Sequence, residues 1–228
     1  MSRGSKGPSL PQVPKEGGPW QLTAYRFLGQ DIEMELDGKY VINLDAEIFY
    51  QQSWTEGTQI TDVQLQQTIN AHVVKWCKQR VINFLSYRQR TEEEIRRYLQ
   101  GLPIDADCID EVIGWLKQQG LVDDREFVVR WVQHRLATNP MGRRRLFLEL
   151  RQKGVDKNLI EETLDEVSHL LDESAMALQL ANKQLRKYKD ADSLTVRRKL
   201  TAFLQRRGFE YSAIKHAVAE VLQESNCD

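Results

Sequence analysis

The chain has 228 residues, 41% of them hydrophobic and 29% charged, and carries a formal net charge of −1. That length allows one or two domains with sizeable cores under a heavily solvated surface. No run approaches the roughly 18 consecutive apolar residues of a bilayer-spanning helix, and the N-terminus lacks the apolar stretch of a secretory signal, so a cytoplasmic protein with no membrane association is expected.

In chain order, residues 1–18 are rich in Pro, Gly and Ser and read as a disordered tail. Residues 19–60 read as a β-hairpin segment. Ile32, Met34 and Leu36 alternate, Asp37-Gly38 supplies a two-residue turn, and Tyr40, Ile42 and Leu44 alternate back. Asp-Gly tolerates the positive φ of a type I′ turn. An isolated hairpin is marginal, so Trp20–Leu28 is expected to add a third strand and Ala46–Gln51 a short helix, with Trp54 sealing the edge.

Helices follow. Thr61 or Asp62 can cap one that carries Val63, Leu65 and Ile69, and a further stretch carries Val73, Val74, Cys77, Val81, Phe84 and Leu85 at spacings of three and four. Thr91 with Glu94 forms a capping box, Asp105 or Asp107 can open the next helix, and Gly120 ends it. Asp123 with Glu126 opens the helix of Phe127, Trp131, Val132 and Leu136, and Asn139-Pro140-Met141-Gly142 makes a turn. A helix from Arg143 to Lys153 closes at Gly154, Asp156 starts another, and the last group begins near Asp172.

These helices repeat. Ile95, Leu99, Pro103, Ile109, Val112, Ile113 and Leu116 align with Leu146, Leu150, Gly154, Ile160, Thr163, Leu164 and Val167, and then with Leu200, Leu204, Gly208, Ile214, Ala217, Val218 and Val221. The fold expected is mainly α: three tandem three-helix repeats, 61–120, 121–171 and 172–228, in an elongated curved array with the small β element at the N-terminus. Self-similarity at this period implies stacked units, each too small to close a core alone, whose binding surface lies on the outer helix faces.

Charge is unevenly spread. Residues 1–70 carry 5 basic and 9 acidic groups, whereas residues 183–207 carry nine basic groups against Asp190 and Asp192. Glu92, Glu93 and Glu94 align with Arg143, Arg144 and Arg145 and with Arg197, Arg198 and Lys199, all expected in the first turn of a second helix. Basic groups there oppose the helix dipole by about 0.3 to 1 kcal/mol each. An external anion would explain that choice; so would pairing to Glu161, Glu162, Asp165 and Glu166. On helical spacing Arg144, Leu148 and Arg151 share a face opposite Leu146 and Leu150. With Lys153, Arg206 and Arg207 beside the closing glycines, these basic residues and Leu148 are the candidate contacts.

Catalytic signatures are missing: the sequence has no GxxxxGK[ST] loop, no GxGxxG turn, no HExxH helix and no CxxC pair. His72, His134, His169 and His216 lack ligand spacing, Asp123-Asp124 reads as capping, and Cys108 reads as a core thiol. No enzyme activity, cofactor or metal is expected.

Together, "INFLSYRQRTEEEIRRYL", "GLVDDREF", "RRRLFLELRQKGV" and "FLQRRGFEYSAI" resemble RecX, the regulator of the RecA recombinase, over residues 75 to 222. The segment from Trp20 to Gly57 resembles the N-terminal extension of some members. The resemblance implies a small cytoplasmic protein that binds RecA and its filaments on single-stranded DNA, restraining ATP hydrolysis and strand exchange; a monomer is expected. The alternative is a general nucleic-acid-binding repeat protein.

Overall fold

The alternating N-terminal segment folds into four antiparallel strands, β1 (Trp20–Leu28), β2 (Asp31–Leu36), β3 (Tyr40–Asp45) and β4 (Gln59–Ile60), in the order β3-β2-β1-β4. The structure is a computed structural model describing residues 10–188 and 191–224. Asp37 and Gly38 take φ of +53° and +64°, and the Lys39 N–H donates to the Leu36 carbonyl at 3.0 Å. The paired ends are Leu36 and Tyr40, so the loop holds Lys39 as well as the two turn residues. It leans on β1: the Gln21 N–H donates to Asp37 Oδ1 at 2.7 Å and the Asp37 N–H to the Gln21 carbonyl at 2.9 Å.

One sheet face packs against the short helix α1 (Ala46–Gln51) and the start of α2 (Asp62–Leu85). Leu22, Ile32, Met34 and Leu44 are fully buried there with Phe49 and Leu65, and Trp54 lies within the same core. Thr61 makes a capping box with Gln64, and α2 then runs 24 residues without the expected interruption. Asp62, the alternative cap, instead holds the preceding segment, accepting from the Gly18 N–H at 2.9 Å and from Trp20 Nε1 at 2.8 Å. Val13 packs on the core as well, and residues 1–9 of the expected tail lie outside those described. The strand β4 escaped the sequence reading because two residues carry no alternation.

His72 on α2 accepts the Asp45 N–H at Nδ1, 2.9 Å away. Burial lowers its pKa below the ordinary 6.5, against the opposing charges of Asp31 and Asp45. The folded state therefore binds fewer protons than the unfolded one, so this stability is present above pH 6.5 and is lost as pH falls through the depressed folded value. Melting curves should show the thermal midpoint declining across that window in the parent, and declining less in His72→Gln, which keeps an acceptor without the titration. Parallel pH profiles for the two proteins would refute this.

The remaining helices are α3 (Glu92–Gln100), α4 (Ala106–Gln118), α5 (Asp124–Thr138), α6 (Arg143–Gln152), α7 (Lys157–Glu166), α8 (Glu173–Leu185), α9 (Ser193–Arg206) and α10 (Tyr211–Glu224). Side chains of Asp105, Asp123, Asp156, Asp172 and Asp192 cap helices, as the spacing implied for Asp123 and Asp156; of the two alternatives Asp105 and Asp107 it is Asp105 that caps α4. The aligned positions Ile95, Leu146 and Leu200 are all fully buried, as are Leu99, Leu150 and Leu204. The chain divides into two compact units, one formed by residues to 88 with 95–119, the other by 89–94 with 120 onward. The first turn of α3 thus belongs with the second unit.

Within that second unit each repeat closes its own core, contrary to the expectation that one repeat is too small. Phe127, Val132, Leu146, Leu150, Ile160 and Leu164 form one cluster, and Ala181, Val196, Leu200, Leu204, Ile214 and Val218 another. Three helices of ten to fifteen residues provide enough apolar stripe to enclose a small bundle. Cys77 and Cys108 are buried in the first unit, where burial pushes the Cys77 thiol up to about 12 and raises that of Cys108. They stay protonated and serve as packing groups.

Candidate docking surface

In the second unit successive repeats meet through main chain. The Gly142 N–H donates to the Arg207 carbonyl at 3.0 Å; at the equivalent place one repeat earlier, the Thr91 hydroxyl donates to the Lys153 carbonyl at 2.7 Å. A Cβ on Gly142 would lie 2.2 Å from the Gly208 carbonyl oxygen, and one on Gly208, whose φ is +80°, would lie 2.4 Å from the Arg145 nitrogen. Both glycines are required by this approach, and Gly208 by its left-handed backbone too.

Acids from the following repeat complete the junctions. Asp124 Oδ1 accepts the Glu92 N–H at 2.9 Å, and Glu173 Oε1 accepts the Arg143 N–H at 2.5 Å while its Oε2 accepts the Glu210 N–H at 2.9 Å. Gly142 gives α6 no side-chain cap, so Glu173 meets the positive helix end that its own arginines oppose. Asp123-Asp124 is therefore capping, as expected, but each residue caps a different helix. The repetition of an acidic pair at Asp172-Glu173 was the signal for this role.

The candidate cations then separate. Arg143 turns inward to Asp165 at 2.7 Å and the Glu161 carbonyl at 3.3 Å, the neighbour pairing the sequence allowed. Lys153 binds Glu94 at 2.9 Å and lies over Trp131, while Arg207 donates to Asn139 Oδ1 at 2.5 Å and the Pro140 carbonyl at 3.0 Å. Lys199 sits over the Tyr188 ring, and Arg151 reaches the Val155 carbonyl at 2.9 Å. Arg144, Arg197, Arg198 and Arg206 are exposed with no ion pair among the described residues. The third trio also departs from its expected place: α9 begins at Ser193 under an Asp192 cap, so Arg197, Arg198 and Lys199 lie in the second turn and escape the dipole cost.

The glycine crossing brings the end of α9 beside the start of α6. Arg144, Arg145, Leu148, Gln205 and Arg206 line one groove of about 350 Å³ with Gly208 at its base. Only Arg145 there has an acidic neighbour, Glu149 at 3.4 Å, and Leu148 is 47% exposed. A larger recess of about 680 Å³ is lined by Arg143 and Arg144 but also by Glu161, Asp165 and Glu210, which disfavours an anion. The smaller groove can therefore grip phosphate or carboxylate oxygens while its leucine excludes water. The sequence missed Gln205, which only the crossing places there.

Among the described residues no helix is long and apolar enough to cross a membrane, and no cluster of His, Cys, Asp or Glu could hold a metal. Family models for the first, second and third three-helix domains of RecX match residues 77–116, 123–164 and 172–218. The regulatory protein RecX of Bacillus subtilis (strain 168) is 30% identical over 193 residues, 85% of this chain and 73% of the relative. That of Amycolatopsis mediterranei (strain U-32) is 35% identical over 155 residues, 66% of this chain and 88% of the relative. A crystal structure of regulatory protein RecX superposes with a TM-score of 0.69 at 22% identity, covering 90% of this chain and 99% of that one. A crystal structure of RecX from Lactobacillus salivarius gives 0.60 at 27%, covering 65% and 96%.

Proposed function

This chain belongs to the RecX family, and from that premise we propose that it binds the RecA recombinase and its filament on DNA. It restrains ATP hydrolysis and strand exchange by occupancy, as a cytoplasmic monomer without catalysis or cofactor. Residues 19–60 form one functional segment, and 61–120, 121–171 and 172–228 the repeats that dock. The observation carrying this reading is the groove of Arg144, Arg145 and Arg206 around exposed Leu148. Arg151, Arg197, Arg198 and Lys199 extend the contact, whereas Arg143, Lys153 and Arg207 support it from their internal partners.

The double substitution Arg144→Glu/Arg206→Glu tests this. Half-inhibition of recombinase-catalysed, DNA-dependent ATP hydrolysis should require about tenfold more protein, equivalent to roughly 1.4 kcal/mol, with the urea midpoint nearly unchanged. Inhibition at the parental concentration would remove the groove from the mechanism.

The exposed arginines also favour a second reading, direct binding of nucleic acid. On bare single strands affinity would then fall with salt, the logarithmic slope being about −0.7 per phosphate neutralised. Equal affinity for bare DNA and for the recombinase filament would select this reading over the first.

A further inference from the structure

The sheet of the first unit has an open edge. β4 pairs with β1 only at Trp20 and Gln21, and beyond Leu22, whose N–H and carbonyl bond to Thr58 and Gly57, β1 has no strand neighbour on that side among the described residues. Leu28 and Asp31 flank the two-residue turn at Gly29, so they are a hydrogen-bonded pair, and the alternation of an antiparallel ladder places Arg26 and Ala24 in the same class. The amides and carbonyls of Tyr25 and Phe27 consequently point away from β2. The register shift between Leu22 and Ala24 returns the outward phase to Leu22, in agreement with its bonds to the other side.

Side-chain cover also thins along this edge: Tyr25 packs on Phe49 at 5.1 Å, whereas Phe27 beyond it is left exposed. Tyr25 and Phe27 lie on the core face, opposite Met34 and Ile32, but at its end, where cover runs out. Phe27 is 58% exposed and stacks at 6.0 Å on Tyr50, itself 56% exposed. On the other face Arg26 stands directly across from Glu33, joined through Nε at 2.6 Å, with its side chain 70% exposed. Among the described residues no acid meets its outer side.

We propose that the Tyr25–Phe27 edge of β1 is a docking site for an extended segment of a partner protein with the pattern apolar–acidic–apolar, added as a fifth strand. Main-chain bonds to Tyr25 and Phe27 supply the pairing, the two apolar side chains cover Phe27 and Tyr50, and the acid completes a Glu33–Arg26–carboxylate row across the outer face. Charge selects this occupant. A second copy of the chain pairing Tyr25 with Phe27 would set Arg26 against Arg26, and a basic segment would meet the same cation. Charged residues in mid-edge are a recognised guard against such self-pairing. The site goes beyond the reading of the helical repeats and is independent of it.

The test uses the full chain and two capped synthetic peptides, Thr-Val-Glu-Val-Thr and Thr-Val-Lys-Val-Thr, with amide exchange followed by NMR. The acidic peptide should slow exchange at Tyr25 and Phe27 and bind about tenfold tighter than the lysine peptide, and Arg26→Glu, at an exposed position, should invert the preference. Equal binding of both peptides, binding of neither, or protection confined to other residues would overturn the proposal. So would protection of these two amides that rises with protein concentration in the absence of peptide, since a second copy would then be the occupant.

Discussion

Gly142→Ala is expected to destabilise the second unit by about 3 kcal/mol or more, a large effect for one methyl group. The added Cβ would lie 2.2 Å from the Gly208 carbonyl oxygen and 2.5 Å from the Phe209 Cα, and these are backbone atoms with no rotamer by which to retreat. Relief requires the strand of main chain around Gly208 to withdraw, which also stretches the 3.0 Å bond from the Gly142 N–H to the Arg207 carbonyl. Losing that bond adds roughly 1 kcal/mol. Because each repeat here has its own core, the damage should weaken coupling between neighbours more than either bundle. Urea unfolding followed by circular dichroism should show a lower midpoint and a broadened transition. An unchanged midpoint would mean the crossing is not the seam described.

Leu150→Ala should cost roughly 2–5 kcal/mol, because Leu150 is fully buried in the cluster with Phe127, Ile160 and Leu164 and its loss leaves a cavity. Its near neighbour on the same helix behaves differently. Leu148 is 47% exposed in the arginine groove, so Leu148→Ala should shift stability by less than about 0.5 kcal/mol. If the groove docks on the filament, the exposed substitution will weaken inhibition of ATP hydrolysis while the buried one lowers the thermal midpoint. Comparable loss of stability in both variants would contradict the assignment of faces on α6.

The helical part of the fold was largely legible because burial imposes a spacing of three and four that survives duplication, as at Ile95, Leu146 and Leu200. Local chemistry was equally readable: Asp123 and Asp156 cap the helices that their spacing announced. What failed depended on distant chain, with one local exception. The alignment of Arg197 with Arg143 suggested matching helix starts, yet an Asp192 cap begins α9 earlier and removes the electrostatic anomaly there. Gly208 repeats Gly154 only as a helix-closing residue, and nothing at either position announces the contact of Gly142 with Gly208, so the proximity of Arg206 to Arg144 was hidden. The edge of β1 was unreadable for a similar reason: its exposure depends on how short β4 is.

Because the arginine groove is built over touching backbones, the separation of its cations is gauged by main chain instead of by side-chain choice. Such a site behaves as a fixed calliper. If the groove docks as proposed, exchanging one of its arginines will alter how strongly it grips, whereas altering Gly142 or Gly208 will change the gap between its jaws, and with it which array of oxygens fits.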